Sequence, residues 1–271
     1  MEMSEIKAHW TNLAKTKGDS LSATTRTETI KTLEIDAFQR WIAKKNNNWT
    51  KILEIGCGNG TNCIELCKRF PQIDFYGLDY VDEMIAKAKE RSASISNLSF
   101  DIDDVTVLSS KLITGKRFDA IITDRCLINL NTIELQKKAL KNIIDHLEDN
   151  GYYFMIENSM NSYAKQNGMR MNVGLEKRFP AAFNLFLDDN IILDYIKNDL
   201  SLTIEEIDNF ASLHDLMLYV IEPLANNGNI SYGSNAINLV TDFLLKCGDK
   251  GMNQFGEFGQ NRLYVLRKEA K

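Results

Sequence analysis

The feature that most constrains this chain is a short apolar strand that runs straight into a glycine-rich turn. Lys51–Ile55 reads as the strand, and Gly56-Cys57-Gly58-Asn59-Gly60 follows. From Thr61 to Phe70 the pattern becomes helical, with Cys63, Leu66, Cys67 and Phe70 on one face, and Pro71 stops it. Glycines at alternate positions allow a tight reversal and close approach of a ligand to the backbone. The helix that follows presents free N–H groups at its start. A bare glycine pattern carries little weight; the strand before it and the helix after it give it meaning.

The turn departs from the dinucleotide fingerprint, whose third glycine stands at the sixth position. Here that position is Thr61, and the third glycine comes early, at Gly60. Glu54 sits inside the strand, two places before the turn, where it would repel a pyrophosphate. A cationic ligand without phosphate tolerates it. Asp79, at the end of the next strand, has the spacing of a carboxylate that grips ribose hydroxyls. A carboxylate only accepts, which suits a diol; its competing role is to cap the helix beginning at Val81.

The same rhythm continues along the chain. Strands are expected at Phe75–Asp79, Leu98–Ile102, Phe118–Thr123 and Tyr152–Ile156. Between them fall a helix with Val81, Met84, Ile85 and Ala88 as its stripe, a short helix or turn at Val105–Leu112, and a helix with Leu140, Ile143, Ile144 and Leu147 inside. Asn131 and Glu134 resemble a capping box for the last of these, and Asn150-Gly151 is expected to stop it. Strands alternating with helices predict a parallel sheet covered on both faces, with right-handed crossovers. Residues 1–50 read as a helical leader broken near Ser20–Thr29, with Leu33, Ala37, Phe38, Trp41 and Ile42 at helical spacing. Beyond 158 the rhythm loosens into helices and a loop over Ser159–Asn190, a late strand at Leu202–Ile207 and a helix at Leu213–Leu224 ended near Pro223. A polar loop (226–235), a helix (236–247), a glycine-containing loop (251–260) and a final strand at Arg262–Leu266 complete the chain.

Composition narrows the function classes. At 271 residues, 44% apolar and 25% charged, the chain suits one domain with an elaboration. A net charge of -5 with dispersed Lys and Arg argues against a nucleic-acid partner. No apolar run approaches a membrane span, and Met1–Trp10 lacks a signal-peptide core. The five cysteines (Cys57, Cys63, Cys67, Cys126, Cys247) form no disulfide framework, and with His9, His146 and His214 they supply no metal-ligand spacing. The chain is read as cytoplasmic, without a metal.

Five blocks of this sequence together resemble the class I S-adenosylmethionine (SAM)-dependent methyltransferases, of the bacterial small-molecule type. They are Leu53–Gly60, Gly77–Met84, Phe100–Val105, Phe118–Leu130 and Gly151–Glu157. SAM carries an ammonium and a sulfonium and no phosphate, which agrees with Glu54. The resemblance implies a Rossmann-like α/β fold: seven strands, mostly parallel, with the last antiparallel. It further implies an N-terminal helical lid (1–50) with Trp10 and the Ser22–Arg26 stretch, a SAM-binding core (51–158), and a substrate-binding region that completes the sheet (159–271).

By the same resemblance, Glu54, Gly56, Gly58 and Gly60 belong to the cofactor turn, Asp79 holds the ribose and Tyr80 flanks the adenine. Asp104, beside Val105, contacts the adenine amino group, with Asp103 as the rival, and Asp124 and Arg125 line the methionine end. The Asn/Asp-Pro-Pro-Tyr signature of base and glutamine N-methyltransferases is absent: Asp124-Arg125-Cys126-Leu127 stands there. A small-molecule acceptor is therefore expected, methylated on oxygen or nitrogen. A protein or RNA acceptor, and a SAM-binding protein without catalysis, are the competing readings. A hydroxyl acceptor would want a base. His214 and Glu157 are the candidates, with Asn129 and Tyr163 behind them, and apolar residues such as Phe179, Phe183, Phe186 and Tyr219 could line the pocket.

Overall fold

The structure is a computed structural model describing residues 2–18, 20–25, 27–248 and 253–270. In chain order the main elements are α1 (Met3–Lys17), α2 (Glu28–Lys45), β1 (Lys51–Ile55), α3 (Thr61–Arg69), β2 (Asp74–Asp79), α4 (Asp82–Arg91), β3 (Leu98–Ile102) and β4 (Phe118–Asp124). They continue with α5 (Ile133–Asp145), β5 (Leu147–Asn158), α6 (Met160–Asn172), α7 (Asp189–Asn198), β6 (Leu202–Asp208), α8 (Ser212–Leu216), α9 (Glu222–Ala225), α10 (Asn235–Cys247) and β7 (Asn261–Lys268).

The described residues form a seven-stranded sheet in the order β3-β2-β1-β4-β5-β7-β6. β1 pairs in parallel with β2 and β4, and β7 runs antiparallel between β5 and β6. The chain starts at β1 and builds outward both ways, so the β1/β4 boundary is the point where strand order reverses. In open α/β sheets, ligands lie beyond the strand C-termini at such a point.

Strand side chains alternate between the faces, and two cores result. Ile52, Phe75, Ile122, Phe154, Ile156, Leu263 and Val265 pack with α2, α3 and α10. Leu53, Leu78, Ile121, Tyr153, Met155, Tyr264 and Leu266 pack with α5 and α7 on the other face. Helices therefore cover both sides. At the C-terminal ends of the strands the first face turns polar: Glu54, Asp124 and Asn158 share its parity, and Asn261 joins them from β7.

Several boundaries differ from the sequence reading for identifiable reasons. α5 is capped by Thr132, whose side chain accepts from the Leu135 N–H, one residue after the expected Asn131. α5 also ends at Asp145, and β5 starts at Leu147 with a register shift opposite Phe118/Ala120; Asn150, at φ 63°, turns within that stretch. Of the two alternatives for Val105–Leu112, a short helix or a turn, the chain takes the turn. The helical run expected over Leu213–Leu224 ends at Ala225, two residues past Pro223, and a π-helical turn at Met217–Ile221 joins α8 to α9 within it. Proline cannot donate to the carbonyl four residues back, and here that carbonyl, of Tyr219, accepts from buried Arg170 instead.

Candidate functional site

A cavity of about 710 Å³ opens at the switch point, walled by the β1–α3 turn, the ends of β2 and β4, α1, α2 and the segments after β5. The turn takes its shape from glycine backbone angles. Gly56, Gly58 and Gly60 have φ of 74°, 53° and 76°. A Cβ on Gly56 would lie 2.7 Å from the Cys126 sulfur, and one on Gly58 2.8 Å from Thr24 Cγ2. Both glycines line the cavity. Gly60 does not: a Cβ there would meet Phe100 Cζ at 2.6 Å, so it closes the helix onto the sheet.

Asp79 is buried on the cavity edge. Its Oδ2 accepts from the Gly58 N–H and its Oδ1 from the Val81 N–H, both at 2.9 Å, which ties the two loops into one unit. Burial pushes its carboxyl up to about 6 against those two bonds. Tyr80 stands beside it on the wall with a buried hydroxyl that has no hydrogen-bond partner among the described residues. Asp103, Asp104 and Val105 all line the adjacent corner. Asp103 accepts from the Ser109 and Ser110 N–H groups and Asp104 from Thr106, so each shapes its own loop as well.

At the inner end lies a buried ionic cluster that the sequence reading only half contained. Lys31 of α2 pairs with Asp124 and with Glu34 at 2.9 Å, and Arg125 Nε lies 3.0 Å from Glu34. Asn62 donates to both Glu54 (2.8 Å) and Asp124 (3.0 Å), and Cys63 Sγ lies 2.8 Å from Glu54. Burial opposes charge on Asp124, but Lys31 and Arg125 outweigh it and hold its carboxyl well below the usual range. At Glu54 burial outweighs the bonds from Cys63 and Asn62 and the charge of Lys31, and pushes the carboxyl up to about 7. Asn261 donates to Glu34 at 2.9 Å and also meets Asn158. Arg125 holds a left-handed φ of 55°, unusual without glycine. Its N–H bonds the Ile156 carbonyl at 2.7 Å, which fixes that turn.

The two catalytic candidates fall outside the cavity wall. Glu157 is fully buried and accepts from the Leu127 (2.8 Å) and Ile128 (3.3 Å) N–H groups. Successive strand residues face opposite sides, so Asn158, not Glu157, meets the cavity. Burial pushes Glu157 up to about 8. His214 is also fully buried, with Nε2 3.0 Å from Thr29 Oγ1 and Nδ1 2.9 Å from Asp215 Oδ1. It braces Asp215, which does line the cavity and accepts from the Gln260 N–H at 2.9 Å. Asn129 and Tyr163 reach the wall, as do Phe179, Phe183, Phe186 and Tyr219. The leader covers the opening: Trp10 Nε1 donates to Asn129 at 3.1 Å and its ring packs edge-on to Phe183. Of the Ser22–Arg26 stretch, Ser22 to Thr25 line the cavity and Arg26 lies outside the described residues.

Sheet order, a reversed β7 and a glycine turn with an acidic strand residue at the switch point define the class I SAM-dependent methyltransferase architecture. The methyltransferase-domain family profile matches residues 46–210, and the chain belongs to that family. Malonyl-(acyl-carrier protein) O-methyltransferase of Bacillus cereus is 31% identical over 101 residues, 37% of this chain and 35% of that protein. The chain thus spans about a third of the length of such curated relatives. N-methyltransferase NodS of Bradyrhizobium japonicum, solved with S-adenosyl-L-homocysteine (SAH), superposes with a TM-score of 0.57 at 13% identity, covering 98% of this chain and 99% of that one. A SAM-dependent methyltransferase of Clostridium acetobutylicum gives 0.55 at 15% identity, covering 92% and 95%. At such identities the likeness is one of fold. Among the described residues no helix is long and apolar enough to cross a membrane, and no metal-ligand cluster occurs.

Proposed function

We propose that this chain transfers a methyl group from SAM to an oxygen or nitrogen of a small molecule in the cytoplasm. The observation that carries the reading is one covered cavity with two chemically distinct ends. Its inner end suits SAM. Asp79 offers acceptor positions to a ribose diol, Tyr80 offers a ring and an unpartnered hydroxyl, and the glycine turn leaves room against the backbone. The wall carries Glu54, Asp79, Asp103 and Asp104, with Asp124 balanced by Lys31 and Arg125, which suits a cationic ligand better than a pyrophosphate.

When bound, SAM supplies an electrophilic methyl on a sulfonium. The residues of this chain position the acceptor and exclude water; alignment of that kind is worth roughly 7–11 kcal/mol of barrier. Asp215, braced by His214, is the carboxylate available to a hydroxyl acceptor at the outer end. The segments from 158 to 261 supply that end, through Asn158, Tyr163, Arg178, Tyr219, Tyr232 and Asn261. A lid formed by Trp10 and α1 over a cavity of this size favours a small acceptor over a protein or RNA.

Incubation of host extract with methyl-labelled SAM tests the assignment. Label in the low-molecular-weight fraction supports it. Label in protein or RNA, or SAM binding with no transfer at all, contradicts it.

A further inference from the structure

The outer end of the cavity holds a guanidinium that no carboxylate pairs with among the described residues. Arg178 lies in the segment after α6 and lines the cavity. Its guanidinium carbon sits 3.3 Å from the Tyr219 ring centroid and 5.3 Å from that of Tyr163. Its Nη1 donates to the side-chain carbonyls of Gln166 and Gln260, and its backbone N–H donates to Asn167 at 2.9 Å. Stacking and neutral acceptors thus hold the fork in place. Among the described residues no carboxylate lies within 4.0 Å of it.

A second guanidinium lies close behind it. Arg170 is buried, and its hydrogen bonds go to the backbone carbonyls of Glu176 (2.8 Å) and Tyr219. Burial, and then the charge of Arg178, lower its pKa. Two neighbouring guanidiniums in a partly dry pocket are costly unless an anion joins them. Asp215 lies at the same end, but among the described residues it makes no ion pair with either guanidinium; its bonds are to His214 and the Gln260 N–H.

The surroundings select the kind of anion. A dianionic phosphate would face the Asp215 carboxylate on the same wall. A single planar carboxylate matches the guanidinium fork and brings one charge. Phe183 and Phe186 add apolar surface to the wall for the body of such a molecule. We propose that Arg178 anchors a carboxylate carried by the methyl acceptor, and so restricts the substrates of this enzyme to small carboxylic acids. The inference rests on the small-molecule methyltransferase reading. The carboxylate is the anchor rather than the methylated atom, because an oxygen held by a guanidinium is a poor nucleophile.

The test is calorimetric titration of SAH-saturated protein with small carboxylic acids from acetate to phenylacetate, each paired with its primary amide. Acids are expected to bind about tenfold or more tightly than their amides. Arg178→Met should abolish the preference while SAH affinity stays intact, and Arg178→Lys should retain part of it. Should the methionine variant fail to fold, Arg178→Gln serves in its place. The proposal is overturned if no acid binds, if amides bind as well as acids, or if the preference survives without the guanidinium. SAH affinity is read separately: its absence would sink the cofactor assignment while leaving an acid preference standing.

Discussion

Replacing Asp79 with asparagine keeps the shape of the side chain and removes one acceptor oxygen and the charge. In the native protein each carboxylate oxygen accepts one backbone N–H, from Gly58 and from Val81, at 2.9 Å. A carboxylate has about four lone-pair sites, so about two remain for ligand hydroxyls. Asparagine leaves one oxygen, and its amide nitrogen cannot accept from a backbone N–H or from a ribose hydroxyl. At least one charge-assisted hydrogen bond to the ligand is lost, worth about 1.5–3 kcal/mol. That converts to a loss of roughly tenfold to 150-fold in Kd. One of the two backbone donors also loses its acceptor, partly offset by relief from burying a charge. Calorimetric titration with SAH, alongside a thermal melt to confirm folding, gives the answer. A folded Asp79→Asn protein that binds SAH as tightly as the parent would refute the assignment of Asp79 to the ribose.

Three further outcomes follow from the same geometry. Asp79, Glu54 and Glu157 are held at about 6, 7 and 8, above their ordinary values, so the folded state keeps protons that the unfolded chain releases. Ligand-free stability should therefore fall as pH rises from about 4 to about 8, and Glu157→Gln should flatten the upper part of a Tm-against-pH curve. Lys31→Met leaves Asp124 and Glu34 buried with only Arg125 for charge balance; denaturant unfolding should show a loss of about 3–5 kcal/mol, part of which Asp124→Asn restores. Gly60→Ala places a Cβ 2.6 Å from Phe100 at a left-handed φ, so unfolding should show about 1–3 kcal/mol of destabilisation with SAH affinity unchanged.

The sheet was legible because parallel strands, buried on both faces, are continuous apolar runs such as Phe118–Thr123 and Tyr152–Ile156. The cofactor turn was legible because its glycines and acids are local in sequence. What escaped was side-chain direction and long-range company. Lys31 and Glu34 look like a solvated i,i+3 pair on α2. They are buried only because Asp124 and Arg125, some ninety positions on, arrive opposite them. Glu157 was chosen for its place at a strand end, but period-two parity turns it under the Leu127–Asn129 turn and gives the cavity to Asn158. His214 and Asp215 are adjacent, and composition cannot say which of them a one-turn helix aims outward. Arg178 carried no local signal; its significance appears only when Tyr219, Gln260 and the missing carboxylate are seen around it.

The central claim is that the turn from Glu54 to Gly60 and the carboxylate of Asp79 form a SAM site rather than a dinucleotide site. Calorimetric titration of the whole chain with SAM and with NAD tests it most directly. Saturable binding of SAM with no detectable binding of NAD is the expected result. Binding of NAD without SAM would contradict it.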